Sequence, residues 1–237
     1  MIPAYQEAPG IEDALERLFH PAVSGATAME VIVSVAGQDD TLERVLDFGR
    51  RRRLDNLKAV KSQRGRGLQL NRGAQEARFS ILLFLHADVS LPSGALPAVL
   101  DVLGDEDVLG GSFLKRYRQR SWRLWGNVAV SYLRVRYFHV FFGNDCIFVR
   151  RRVFDDLGGF APIPLMEDVD FSRRLRRLCR RTPRGRLAII PLAAQASARR
   201  YIERGVLRQS WTILRTMTAY KLGRSPQELD RSYHRYD

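Results

Sequence analysis

The chain has 237 residues, 45% of them apolar, enough for one large α/β core and too few for two comfortable ones, so a single domain over residues 1–237 is expected. No stretch approaches the roughly 18 uninterrupted apolar residues of a spanning helix, which leaves a soluble or peripheral protein. A formal net charge of +13, carried mostly by arginine, calls for an anionic partner, either a nucleotide, an anionic membrane surface or nucleic acid, unless the arginines only solvate helix faces.

The opening "IPAYQE" reads as a strand that begins almost at once, with only Met1 and Ile2 before Pro3; either this strand is short or the chain starts late within it. These residues lack the charged and apolar regions of a secretory leader, and Cys146 and Cys179 lack metal or redox spacing. Together they predict a cytoplasmic protein with reduced thiols. Helical patterns over 10–19, 40–51 and 68–79 alternate with apolar strands over 29–37, 57–62 and 80–88, as parallel βαβ units require. Beyond Asp88 the pattern changes. Strands are expected over 108–117 and 144–151, separated by the apolar stretch 121–142, which reads as one or two helices. A helix entered through acidic residues covers 166–178, a last strand 186–192, and an amphipathic helix about 201–222 follows. The cations cluster at Arg50 to Arg53, at Arg116, Arg118 and Arg120 after Lys115, and between Arg173 and Arg186. In the last cluster Leu175 and Leu178 give a basic helix its apolar side.

An open α/β sheet binds ligands beyond the carboxyl ends of its strands, and the run "ILLFLHADVSLP" brings His86 and Asp88 to such a place. A carboxylate there can hold a hard divalent cation while phosphate oxygens and water complete the shell. An imidazole can add a ligand, better for Mn2+ than for Mg2+. The plainer alternative is that Asp88 caps a helix starting near Pro92 and His86 is a satisfied core residue. The run "PLMEDVDFSRRLRR" sets Glu167, Asp168 and Asp170 within four positions, so that one acid can face a reaction while its neighbour pairs with an arginine. The alternative is a helix N-terminus carrying acids for its dipole.

In order along the chain, "IPAYQE", "GRGLQLNRGAQEA", "ILLFLHADVSLP", "GNDCIFVRRRVFDDLGGF", "PLMEDVDFSRRLRR" and "SARRYIERGVLRQSW" resemble the family-2 glycosyltransferases of the GT-A fold. The likeness is greatest to the bacterial branch with LHAD in place of DxD, and it runs from Ile2 to about Leu229. It implies an α/β nucleotide-diphospho-sugar transferase sandwich with a mostly parallel central sheet. It also implies inverting transfer of a sugar to a hydroxyl acceptor, assisted by a divalent metal, Mn2+ or Mg2+. Residue by residue, the resemblance sets Pro3, Ala4, Tyr5 and Glu7 along the nucleotide, and Arg66, Asn71 and Gly73 toward the donor diphosphate. It sets Asp88 and His86 at the metal, and Asp168 as the base with Glu167 beside it. Gly143, Asn144 and Asp145 fall on the acceptor side, and Arg199 with Arg200 near a donor phosphate. A UDP-sugar is the donor the family at large favours; the acceptor, a lipid or a small molecule, stays open.

Two departures from the family pattern matter. In "VSVAGQDDT", Ser34 or Val35 stands where an acid would grip the base, with Asp39 or Asp40 as substitutes, and "GND" replaces Gly-Asp-Gln, which moves the carboxylate to Asp145. Two other functions compete. One is a GT-A-like domain that has lost catalysis and binds a nucleotide or a partner; the altered second strand favours it and Asp88 with Asp168 opposes it. The other is a nucleic-acid-binding protein, supported by charge alone and lacking an RNP or KH signature. From Trp122 to Phe142, aromatic side chains mix with Arg123, Arg134 and Arg136. That mixture suits contact with an anionic membrane at its inner face, or a lipid acceptor, as well as a core helix pair over the acceptor side.

Overall fold

The computed structural model describes residues 1–119 and 121–234; Arg120, counted above among the basic clusters, lies outside the described residues. The first half runs β1 (Ile2–Tyr5), α1 (Ile11–Leu18), α2 (Pro21–Ser24), β2 (Val31–Ala36), α3 (Thr41–Arg52), β3 (Leu57–Lys61), α4 (Arg66–Glu76), β4 (Ile81–Leu83), β5 (Val89–Ser90) and α5 (Ala95–Val102). It continues through β6 (Val108–Tyr117), α6 (Trp125–Phe138), β7 (Ile147–Arg150), α7 (Arg151–Asp156), α8 (Glu167–Arg181), β8 (Arg186–Ala196), α9 (Arg199–Arg204), α10 (Val206–Lys221) and α11 (Pro226–His234). Single 3-10 turns occupy Trp122–Leu124 and Gly143–Asp145.

The strands form two sheets. One is parallel throughout, in the order β1-β2-β3, and the other is mixed, in the order β4-β7-β6-β8-β5, with β6 and β8 its parallel pair. Every residue of β2, "VIVSVA", is buried, as a parallel strand covered on both faces must be. The two sheets meet at Met1, whose amino group donates to Leu83 O at 2.7 Å and whose carbonyl accepts from Leu85 N at 3.0 Å. The expected α/β sandwich is thus what the chain forms.

Two close contacts fix α4, one against β2 and one against the segment before α8. A Cβ at Gly73 would lie 2.9 Å from Ser34 Oγ, and one at Gly67 would lie 2.7 Å from Ala161 O, so both close approaches need a residue without a side chain. Gln69, buried on the same helix, donates its amide to Ala4 O at 2.7 Å and Ser34 O at 2.8 Å, clamping the tips of β1 and β2. On the other side of β4 a cluster of four phenylalanines forms. Phe84 meets Phe160 at 4.9 Å and Phe154 at 5.2 Å between ring centroids, and Phe171 of α8 stacks on Phe160 at 4.6 Å. The segment leading to His86 and the helix carrying Glu167 and Asp168 are therefore seated on one aromatic core.

Two local outcomes differ from expectation, and a third decides between one helix and two. The apolar run 80–88 hydrogen-bonds as a ladder only over Ile81–Leu83, which is β4, while Phe84 to Asp88 continues as irregular chain. The stretch 121–142 gives one long helix, α6, whose inner face buries Ser131 and Val135 and whose outer face stays exposed. Gly205, at φ +81°, breaks the expected C-terminal helix into α9 and α10.

Removal of the Phe171 ring, which is fully buried, is expected to cost about 3–5 kcal/mol. Urea unfolding of Phe171→Ala should show a lower midpoint at unchanged slope; a loss below about 1 kcal/mol would mean that this cluster does not seat α8.

Candidate active site

Gly143 is the point where the two sequence signals meet. Its backbone N–H donates to Asp168 Oδ2 at 2.8 Å, and a Cβ on it would lie 2.0 Å from His86 Nε2. His86 and Asp168, 82 positions apart in the sequence, therefore sit on either side of one bare backbone segment. The second oxygen of Asp168 accepts from Val169 N at 2.7 Å, which fixes the plane of the carboxylate. Burial, helped by the field of Arg66, lowers the His86 imidazole from its ordinary 6.5 to about 4 against the pull of Asp88 and Asp168. The ring is neutral at physiological pH and keeps a lone pair.

Glu167 faces inward. Its side chain is 1% exposed, and Oε1 pairs with Arg66 Nε at 2.9 Å while Oε2 is buried with no hydrogen-bond partner. Burial pushes its carboxyl up to about 7; Arg66 opposes the rise and Asp168 adds to it. Met166, just before α8, holds φ +70°, a left-handed conformation that a side chain adopts only under tight constraint. In the first turn of α8 the adjacent acids meet different surroundings, Glu167 at Arg66 and Asp168 at the Gly143 amide.

On the donor side, β1 delivers less than its sequence suggests. Pro3 and Ala4 are buried in the sheet, and the Ala4 carbonyl is taken by Gln69, so neither lines a surface. Tyr5 and Glu7 do reach the surface, with the Arg64 guanidinium 4.5 Å above the Tyr5 ring. Burial raises the Glu7 carboxyl, Asp88 raises it further, and Arg199 and Arg200 oppose the shift, which places all four groups around one space. Asp39 takes the Thr41 hydroxyl at 2.8 Å and the Ala8 amide at 3.2 Å, pinning the turn after β1, and Asp40 pairs with Arg44.

Two expected site residues lie elsewhere. The Asn71 carboxamide accepts from Phe160 N and donates to Phe160 O, each at 2.8 Å, so it serves as a backbone partner for the segment before α8 rather than facing a donor. Asp145 is fully buried. It takes the Phe142 amide and the Arg134 guanidinium at 2.7 Å each, with Lys115 Nζ at 4.0 Å, and so fixes the 142–145 turn from beneath instead of meeting an acceptor. Asn144 stays partly accessible on that turn. The Lys115–Arg134–Asp145 group was not anticipated, although Asp145 is the sole acid between Asp107 and Asp155 in a stretch rich in arginine.

Among the described residues no three His, Cys, Asp or Glu side chains come together as a metal cage. The exposed Asp88 carboxylate forms no hydrogen bond or ion pair among them, and it lies by neutral His86 and by Glu7. One hard carboxylate and one neutral imidazole with arginines nearby fit, by the chemistry of their donor atoms, a divalent cation that would complete its shell with water and diphosphate oxygens.

A family model described as glycosyltransferase like family 2 matches residues 1–195. None of the curated proteins matches the chain. Among solved structures, the chain is similar to a mannosyltransferase from Pyrobaculum calidifontis in complex with GDP-Man and Mn2+, at a TM-score of 0.70 and 23% identity. That likeness covers 98% of this chain and 66% of that one, so the chain spans just under two thirds of the relative's length. It is also similar to glucosyl-3-phosphoglycerate synthase from Mycobacterium tuberculosis in complex with Mn2+, UDP and phosphoglyceric acid. There the TM-score is 0.61 at 20% identity, over 94% of this chain and 77% of that one. These likenesses are of fold, and the fold is the GT-A-like α/β arrangement expected from the sequence.

Burial lowers the Lys115 ammonium from its ordinary 10.5 to about 8; Asp145 resists the fall and Arg134 adds to it. Below about pH 8 both folded and unfolded chains hold this proton and the burial cost is fully present. Between about 8 and 10.5 only the unfolded chain holds it, so stability rises with pH across that window. Relative to Lys115→Met, the wild type should gain up to about 3 kcal/mol between neutral and strongly alkaline pH, measured by urea unfolding of both proteins; a difference independent of pH would show that Lys115 is not desolvated.

Proposed function

The chain belongs to glycosyltransferase like family 2, and from that premise we propose that it is an inverting enzyme that moves a hexosyl group from a nucleoside-diphosphate sugar to an acceptor hydroxyl. One observation carries this reading: Gly143 joins His86, two residues from Asp88, to Asp168, so that a place for a diphosphate adjoins a place for a base.

Asp168 is the base. Two backbone amides hold its carboxylate in orientation, and each oxygen keeps a lone pair for the acceptor proton. As that proton passes to Asp168, the acceptor oxygen bonds to the anomeric carbon from the face opposite the diphosphate. The bond to the diphosphate oxygen breaks with its electron pair, which inverts the anomeric centre. Asp88 with His86 would hold Mn2+ or Mg2+, which when bound stabilises negative charge on the diphosphate. Arg66, Arg199 and Arg200 add fixed positive charge on the same side. Glu167 is a positioning residue, acting through Arg66. Tyr5 and Glu7 border the nucleoside, and Gly143 with Asn144 borders the acceptor. The two structural neighbours were solved with GDP-Man and with UDP, so guanosine and uridine donors are the first to test.

Thermal-shift assays with UDP and GDP, each with and without Mn2+, should show a metal-dependent rise with one nucleotide in the wild type and none in Asp88→Ala. Asp168→Asn should keep that rise while its transfer rate falls by about 10²–10⁴. Metal-independent nucleotide binding in both the wild type and Asp88→Ala, or full activity in Asp168→Asn, would refute these assignments.

A further inference from the structure

The outer faces of α6 and α10 carry a feature that sugar transfer does not use. Among the described residues no helix is long and apolar enough to cross a membrane, yet α6 carries large apolar side chains on its outer side. Its inner side packs on the core, and Trp125, Val130, Leu133 and Tyr137 point to solvent. On α10 an outward stripe follows helical spacing through Leu207, Trp211 and Leu214 and continues to Leu222 just beyond the helix. The two helices lie side by side, for Ser210 Oγ donates to Asn127 Oδ1 at 3.1 Å, and further along Phe138 and Tyr220 line one groove. All three tryptophans of the chain lie on or just before these two helices and are open to solvent: Trp122 and Trp125 are each 79% exposed and Trp211 is 65% exposed.

The charge carried by these two helices themselves has one sign. Neither α6 nor α10 contains an acidic residue, while Arg123, Arg136, Arg215 and Lys221 border the apolar stripes. The groove between α6, α8 and α10 has a volume of about 420 Å³, in the range of small-ligand sites, and sets Arg173 and Arg176 above a floor that includes Val169 and Met217. Aromatic and aliphatic side chains ringed by cations suit the boundary between headgroups and acyl chains. A second copy of this chain fits poorly, since pairing the face with itself would set arginine against arginine. A nucleic acid would answer the charge and leave the leucines and tryptophans uncovered.

We infer that the α6–α10 face is a peripheral docking surface for an anionic lipid bilayer, with Trp122, Trp125 and Trp211 entering the interface and the surrounding arginines meeting lipid phosphates. Docking on this face does not depend on the chemistry assigned to Asp168.

The tryptophans report on their own site. Vesicles of phosphatidylcholine and phosphatidylglycerol in equal parts should shift the intrinsic emission to the blue and shield it from acrylamide, and vesicles of phosphatidylcholine alone should do so much less. Co-sedimentation with the mixed vesicles should fall at least about tenfold in Trp125→Gln/Trp211→Gln, with circular dichroism and thermal midpoint unchanged because both side chains are exposed. Asp168→Asn should sediment as the wild type does, which separates a failure of docking from a failure of the catalytic reading. Protein that stays in the supernatant at low salt, or sedimentation indifferent to the double substitution, would overturn the inference. So would a free protein whose tryptophans are already shielded in a dimer, or tryptophans shielded by single-stranded RNA and not by vesicles.

Discussion

The absence of a side chain at position 143 is the constraint on which the site depends. Three groups need the same small volume: the His86 ring, the Asp168 carboxylate and the main chain that separates them. Only a glycine lets the main chain pass at the distance seen, because any Cβ would overlap the imidazole. The turn carrying Gly143 must then be held without help from a side chain of its own. Asp145 provides that from below, through Arg134 and the Phe142 amide, and Ser172 provides it from α8 by accepting the Phe141 amide at 3.0 Å. Groups that do not line the candidate site thus set its geometry.

These supports differ in kind. Lys115, Arg134 and Asp145 are buried charges, and such groups stabilise little in net terms because desolvation offsets most of their attraction; their value is that only one arrangement satisfies them. The phenylalanine cluster under Phe84 and Phe171 is the reverse, strong in burial and undemanding in direction. Together they explain how α8 and the chain after β4, which come from distant parts of the sequence, reach a common register. The aromatic core brings them close, and the polar contacts select the orientation.

Much of the fold was legible because periodicity and local chemistry agree. Alternating apolar strands and helices through β3 mark the parallel sheet, while the run at β4, expected to continue it, forms its ladder antiparallel to β7 in the mixed sheet; the acids opening α8 mark its start. The acids of the proposed site, Asp88, Glu167 and Asp168, stand out in the sequence because they follow apolar runs. The surroundings of Asn71 and Asp145 do not. Sequence spacing does not reveal that their hydrogen-bonding groups turn inward toward Phe160 and Arg134. Pro3 and Ala4 mislead for a related reason: a strand end is next to the ligand side of a sheet, yet its alternate residues belong to the core. Periodicity alone does not decide which face of α6 is exposed, since its apolar and polar residues are spread around the helix and give no sign of which side is covered.

The break at Gly205 bears on how this chain can diverge. Its φ of +81° ends α9 and starts α10 on a new axis, so the arginines of α9 and the stripe of α10 are indexed separately. Insertions or drift in α10 would therefore leave the α9 arginines in register with Glu7, and the outer surface is free to change its taste in partners while the inner geometry is inherited intact.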